Sequence, residues 1–262
     1  MPIFSLDIFW ISLAPTWYGL MYALGFLAGY FIIQRRQLFT QRELDALFLF
    51  IAAAIIVWGR LWYVCFYNAS YFLSHPLEIF ATWNGGMSFH GAALAVILSI
   101  ILWSLKYKKP LFLVGDAVAT VVPIGIWLWR IGNYINGELY GFGGYTGPFA
   151  IVQEWIRYFP SPLLEALCEW LILFILVNVV FRYFAPKIGY ASATFLIGYG
   201  IMRFCIEFIR LPDAQVGYLF STDWFTLGQF LSLPLIALGI GCIMILPRYN
   251  AKYMSWNKSK NY

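Results

Sequence analysis

The sequence predicts an all-α protein that crosses a membrane several times, and three observations support this. Of its 262 residues, 62% are hydrophobic and only 11% are charged, with a mean hydropathy of +0.74. A water-soluble domain has neither that apolar excess nor that shortage of charge, so the bilayer is the natural solvent. The apolar residues fall into seven runs near the length of about 20 residues that spans a hydrocarbon core. None of these runs alternates apolar and polar residues as a barrel strand does, so each must satisfy its backbone hydrogen bonds internally, as a helix.

The expected spans are 17–33, 44–67, 87–105, 111–131, 162–180, 188–209 and 224–246. Residues 1–16 lack the basic start and small-residue cleavage site of a signal peptide, so the first span is expected to stay. The third, fifth and seventh are read as plain apolar spans. The second carries Arg60, the fourth Asp116 and Arg130, and the sixth Arg203 and Glu207. Basic residues collect after alternate spans: Arg35, Arg36 and Arg42; Lys106, Lys108 and Lys109; Arg182 and Lys187; Arg248, Lys252, Lys258 and Lys260. Cytoplasmic loops are enriched in Lys and Arg, so those loops are assigned to the cytoplasm, with the N-terminus outside and the C-terminus inside.

The formal net charge of +5 follows from this bias. It points to anionic headgroups on the inner face and not to nucleic acid, since no basic groove interleaved with aromatics is present. Cys65, Cys168, Cys205 and Cys242 lie in apolar runs without a C-x-x-C pair. They read as inert buried thiols, and neither a disulfide framework nor a metal site is expected. No internal repeat or long linker divides the chain, so one domain over 1–262 is expected, with a small outer region around 132–161.

Polar residues that share a depth mark a site. A helix rises about 1.5 Å per residue, and on this map Tyr18, Arg60, His90, Arg130, Arg203 and Glu207 come from five spans to the outer half of the membrane. Arg203 and Glu207, four apart, share one helix face. Arg60, Arg130 and Arg203 form a cationic set, and the planar guanidinium fork matches a phosphate, which at headgroup depth belongs to a phospholipid. His90, with an ordinary pKa near 6.5, is suited to accept a proton at neutral pH. Base and phosphate clamp together point to transfer chemistry on a phospholipid. Each residue also has a plainer reading. His90 by itself suits interfacial packing, Arg60 and Arg203 suit structural ion pairs with Glu165 or Glu207, Asp116 suits helix packing, and His75 suits a solvated loop.

Five blocks resemble the prolipoprotein diacylglyceryl transferase family: W-Y-G-L-M-Y at 17–22, G-R-L-W-Y-V-C-F-Y-N at 59–68, G-G-M-S-F-H-G at 85–91, R-I-G-N-Y-I-N-G-E-L-Y-G at 130–141, and Y-G-I-M-R-F with E-F-I-R-L-P-D-A-Q within 199–215. L-G-Q at 227–229 is a weaker sixth. The resemblance implies that a diacylglyceryl group moves from phosphatidylglycerol to the lipobox cysteine of a bacterial prolipoprotein. A thioether is formed and glycerol phosphate is released, the first step of lipoprotein maturation at the inner membrane. It implies no cofactor, and as partners phosphatidylglycerol, the prolipoprotein signal peptide and membrane lipids. Carried over by position, Tyr18, Arg60, Asn133, Asn136, Glu138, Gly141, Tyr199, Arg203 and Glu207 are expected to bind substrate, with Arg130 as phosphate clamp. His90 is expected either as the base for the thiol or as a residue that orients the lipid.

Two places depart from the family pattern. His90-Gly91-Ala92 stands where the family has H-G-G, and F-P-S-P-L-L-E at 159–165 stands where it has H-P-S-Q-L-Y-E. The second removes a His, a Gln and a Tyr from the outer face and leaves open a specialised or non-catalytic phospholipid-binding relative. A transporter is the remaining alternative, but it would place its polar site at the midplane between repeats.

Overall fold

The computed structural model describes residues 6–8, 11–13, 16–67, 69–82, 85–212 and 217–260, and these are mostly helical. Among the described residues, five helices are long and apolar enough to cross a membrane: Trp17–Arg35, Gln41–Phe66, Leu111–Asn136, Ser161–Tyr183 and Leu227–Ser255. The third and sixth expected spans are covered by shorter apolar helices, Gly91–Tyr107 and Tyr190–Ile206. Seventeen residues at about 1.5 Å each reach roughly 26 Å, just under the roughly 30 Å of a hydrocarbon core.

The chain forms two compact units, one containing residues up to Ile32 and from Gly115 onward, the other Ile33–Val114. The larger unit begins with a hairpin of β1 (Leu6–Ile8) and β2 (Ile11–Leu13), followed by α1 (Trp17–Arg35). The smaller unit holds α2 (Gln41–Tyr67), α3 (Ala69–Ser74), a 3₁₀ turn (Pro76–Phe80) and α4 (Phe89–Tyr107). A capping box opens α2: Thr40 N–H donates to Glu43 Oε2 at 2.9 Å, and Glu43 N–H donates to Thr40 Oγ1 at 3.4 Å. Helices α2 and α4 pack on each other. Their crossing requires Gly91, because a Cβ there would lie 2.6 Å from Trp62 Cβ and closer still to the Trp58 carbonyl.

The rest of the larger unit is α5 (Leu111–Ala119), α6 (Val122–Asn136), the hairpin β3 (Ile151–Gln153) and β4 (Ile156–Tyr158), α7 (Ser161–Ala166), a π-helical turn (Leu167–Ile172), α8 (Leu173–Tyr183), α9 (Tyr190–Ile206) and α10 (Leu227–Lys260). The fourth span breaks between α5 and α6, where Pro123 occupies the first turn of α6 and has no N–H to continue the ladder. The Thr120 carbonyl at the break accepts from Asn178 Nδ2 at 3.0 Å instead. Helix α9 packs against α10 and α8, and Ala119, Leu173, Val177 and Ala191 form a buried apolar cluster.

Asp116, on α5, fixes the start of α9. Its buried carboxylate accepts from Gly189 N–H at 2.6 Å, Ser192 N–H at 2.7 Å and Ser192 Oγ–H at 2.6 Å. The α10 residue Asn250 holds both backbone groups of Ile188 at 2.8 Å. The orphan donors of a helix N-terminus thus find acceptors inside the protein.

Two short two-stranded hairpins accompany the helices, and the fold remains of the all-α class expected. One expectation is corrected. The cysteines are not buried: Cys65 and Cys205 are exposed, and Cys168 and Cys242 are half-buried. The outer surface of a membrane bundle meets lipid, so an apolar thiol gains nothing from being inside it.

Candidate functional site

The larger unit gathers most of the expected residues around the end of α6. Arg130 is 2% exposed and meets two carboxylates from the fifth span. Its Nε and Nη2 donate to Glu169 Oε2 and Oε1 at 2.9 and 3.3 Å, and Nη1 lies 2.6 Å from Glu165 Oε2. Both glutamates are fully buried. A lone buried carboxylate is prohibitively costly, and it is tolerated only with a partner of this kind. Glu169 sits in the π-helical turn, a device frequent at functional sites. The next residue, Trp170, stacks on Trp127 of α6 at 4.4 Å and holds the widened turn against that helix. The Trp129 ring lies 4.7 Å from the Arg130 guanidinium carbon.

The charges continue as an alternating chain. Glu165 Oε2 is 4.0 Å from Arg203 Nη1, Arg203 Nη1 is 2.6 Å from Glu207 Oε2, and Glu207 Oε1 is 3.8 Å from Arg210 Nη1. Glu207 lies beside the N-terminus of α10, where a Cβ on Gly228 would come within 2.6 Å of its carboxyl carbon. That terminus favours negative charge. Thr226 caps α10 reciprocally with Gln229, whose Oε1 accepts Thr226 N–H at 2.9 Å. Tyr199, one turn before Arg203, lies within electrostatic reach of Arg130, Glu165, Glu169 and Arg203.

A second polar node adjoins α6. The Tyr18 hydroxyl donates to Glu138 Oε2 at 2.5 Å and accepts from Asn133 Nδ2 at 2.5 Å, and the Asn136 side chain also hydrogen-bonds to it. Asn133 is 2% exposed, and its Oδ1 has no hydrogen-bond partner, leaving a buried acceptor. Glu138 is exposed. Gly141 ties this node to Arg210: the two residues form a β-bridge, and Gly141 N–H donates to the Phe159 carbonyl at 2.8 Å. A Cβ at 141 would lie 2.7 Å from the Ile209 carbonyl, so only glycine permits the approach.

The altered segment at 159–165 packs tightly. Phe159 stacks on Phe142 at 5.2 Å, and the buried Ser161 donates its hydroxyl to the Leu139 carbonyl at 2.6 Å. Pro162 sits in the first turn of α7, and the segment still delivers Glu165 to Arg130.

Arg60 and His90 belong to the smaller unit. The Arg60 guanidinium is 6% exposed and is engaged by backbone carbonyls: Glu78 at 2.6 Å, Ile79 at 2.8 Å, Ala81 at 3.4 Å, Gly85 at 2.6 Å and Gly86 at 3.0 Å. Its fork therefore organises the 78–86 loop, in place of the ion pairs that sequence allowed. That loop ends at Ser88, the N-cap of α4, whose side chain accepts Gly91 N–H at 3.5 Å, and His90 is the second residue of that helix. Trp83 and Asn84, which precede the 85–91 block, and Asp213–Gln215 of the last block lie outside the described residues. Among the described residues, no group of three His, Cys, Asp or Glu is placed to hold a metal.

Sequence reasoning missed Glu169 and Arg210. The signal for Glu169 was a second acidic residue four positions after Glu165 in an otherwise apolar run, too costly to retain without a buried cation.

An integral-membrane protein of several apolar helices, holding arginines, glutamates and amides at the end of one of them, defines a polytopic membrane protein with a buried polar site. The family model of prolipoprotein diacylglyceryl transferase matches residues 7–245. A phosphatidylglycerol–prolipoprotein diacylglyceryl transferase of Geobacter sulfurreducens is 42% identical over 240 residues, covering 88% of this chain and 91% of its own. The enzyme of the same name from Acinetobacter baylyi is 38% identical over 270 residues, covering 96% of each chain, and that of Ehrlichia ruminantium is 40% identical over 240 residues, covering 88% of this chain and 92% of its own. The chain belongs to the prolipoprotein diacylglyceryl transferase family.

Proposed function

We propose that this protein is a transferase that moves a diacylglyceryl group from phosphatidylglycerol to the lipobox cysteine thiol of bacterial prolipoproteins. The observation that carries the reading is the near full-length similarity to relatives bearing that activity in their names. The arginines and amides of the 130–141 block, gathered at one helix end, support it. Sulfur displaces the phosphate oxygen on the glyceryl carbon: the S–C bond forms, the C–O bond breaks, and glycerol phosphate departs.

The thiolate is the nucleophile, so a base that removes the thiol proton and cations that receive the phosphate charge both lower the barrier. His90 is the proposed base. Arg130 and Arg203 are the proposed phosphate contacts, supported by their neighbouring places along one chain of charges. Tyr18, Asn133, Asn136, Glu138 and Gly141 form the proposed polar cradle for the headgroup. The unpaired Asn133 Oδ1 supports this, being suited to accept a glycerol hydroxyl. Tyr199 and Glu207 support the arginines. Arg60 acts through the loop it holds, since its donors face carbonyls.

The proposed setting is the bacterial inner membrane. The whole chain forms one transferase domain of seven spans, the N-terminus outside and the C-terminus cytoplasmic, with the site toward the outer leaflet and a small outer region around 132–161. The basic loops support this orientation. The two further spans are proposed to be the apolar helices Gly91–Tyr107 and Tyr190–Ile206, with local thinning of the bilayer accommodating their shorter length. The test is thioether formation on a lipobox peptide by purified protein with phosphatidylglycerol, alongside rescue of a cell depleted of its own transferase. A well-expressed protein that binds phosphatidylglycerol but fails both would identify a non-catalytic relative.

A further inference from the structure

With all three carboxylates ionised, the chain of charges is neutral before any lipid arrives. Arg130, Arg203 and Arg210 alternate with Glu169, Glu165 and Glu207, and all but Arg203 are buried. A phosphodiester is a monoanion throughout the physiological pH range, so its binding leaves this desolvated cluster with one uncompensated negative charge. An uncompensated charge away from water is costly, and the cheapest remedy is for one carboxylate to take a proton.

The three carboxylates are not equivalent. Glu169 holds Arg130 through both oxygens in aligned hydrogen bonds. Glu207 lies between Arg203 and Arg210 and beside the α10 N-terminus. Glu165 is fully buried, yet neither of its oxygens makes an aligned hydrogen bond. It is 2.6 Å from Arg130 Nη1 and 4.0 Å from Arg203 Nη1, the two groups a phosphate would engage. The charged and titratable groups facing it are Arg130 from α6, Glu169 from its own segment, Tyr199 and Arg203 from α9, and Arg210 beyond it. The arginines stay charged at all relevant pH.

We infer that Glu165 is a charge-balancing residue that takes up a proton when the phosphodiester binds at Arg130 and Arg203 and releases it when glycerol phosphate leaves. The inference rests on the phosphatidylglycerol site proposed above. It assigns to a residue outside the expected site a role that links lipid binding to pH, because phosphate and the Glu165 carboxylate compete for the same two cations.

The experiment is calorimetric titration of dihexanoyl-phosphatidylglycerol into detergent-solubilised full-length protein at about pH 7.5, in buffers of different ionisation enthalpy, which reports protons taken up per lipid bound. Wild type should take up about one proton, Glu165→Gln none, and dihexanoylglycerol, which lacks the phosphate, none with either protein. Wild-type affinity should weaken by up to about ten-fold per pH unit toward alkaline pH, whereas Glu165→Gln should be flat. Binding to wild type without proton uptake would overturn the inference while leaving the transferase reading intact, even if the variant failed to fold. Equal uptake by a folded Glu165→Gln would also overturn it, by locating the proton elsewhere. No binding at all would remove the phospholipid site and the inference together.

Discussion

Arg130→Lys keeps the positive charge and removes the fork. In the wild type that fork makes two charge-assisted hydrogen bonds with Glu169, at 2.9 and 3.3 Å, and a 2.6 Å contact with Glu165. A single ammonium cannot reproduce the bidentate geometry and reach Glu165 as well, so one buried carboxylate loses its main partner. A hydrogen bond to a charged group contributes about 1.5–3 kcal/mol, and lysine regains roughly one of the three. The loss of the other two comes to about 3–6 kcal/mol, roughly a hundred-fold or more in rate if it falls on the transition state, with a lower unfolding temperature to the extent that it falls on the fold. The assay is initial thioether formation on a lipobox peptide in phosphatidylglycerol-containing micelles, with thermal unfolding of the same preparation in parallel. Turnover within about three-fold of wild type, from a protein that unfolds at a lower temperature, would mean that Arg130 is a structural cation. Arg203 would then carry the phosphate.

Three further outcomes are expected. Single cysteines at Lys108 and Lys252 in a cysteine-free variant should resist an impermeant thiol reagent in intact cells, while one at Ser74 should label; the reverse pattern would invert the topology. Asp116→Ala strips three acceptor contacts from the start of α9, so it should destabilise the protein by about 2–4 kcal/mol while leaving KM for the lipid unchanged; a raised KM at unchanged stability would contradict the structural role. His90→Gln should lose activity at neutral pH and recover part of it as pH passes the thiol's own pKa near 8.5. A constant ratio of wild-type to variant rate across about pH 6.5–9.5 would instead assign His90 to orienting the lipid.

The polar node around Tyr18 was legible because its members stand at helix ends, where neighbours in sequence are neighbours in space. Asn133, Asn136 and Glu138 follow one another within two turns of Arg130, and the structure joins them to Tyr18. Arg60 shows the limit of such reading. A cation in an apolar run signals that a partner exists but not its kind, and here the partners are carbonyls of a loop 18 to 26 residues away. Phe159 reads as a lost functional residue, yet in the fold it packs on Phe142 and leaves the path to Glu165 intact.

The sequence by itself determined the solvent, the helical class and the presence of a buried polar site, because those follow from composition, from the length of apolar runs and from the cost of charge in lipid. Only the tertiary structure decided which charges neutralise which. Glu169 reaches Arg130 across 39 residues of sequence through a widened helical turn, and Arg210 joins through a backbone bridge to Gly141. Pairing of buried charges depends on ångström distances between helices, and no spacing along one chain encodes these.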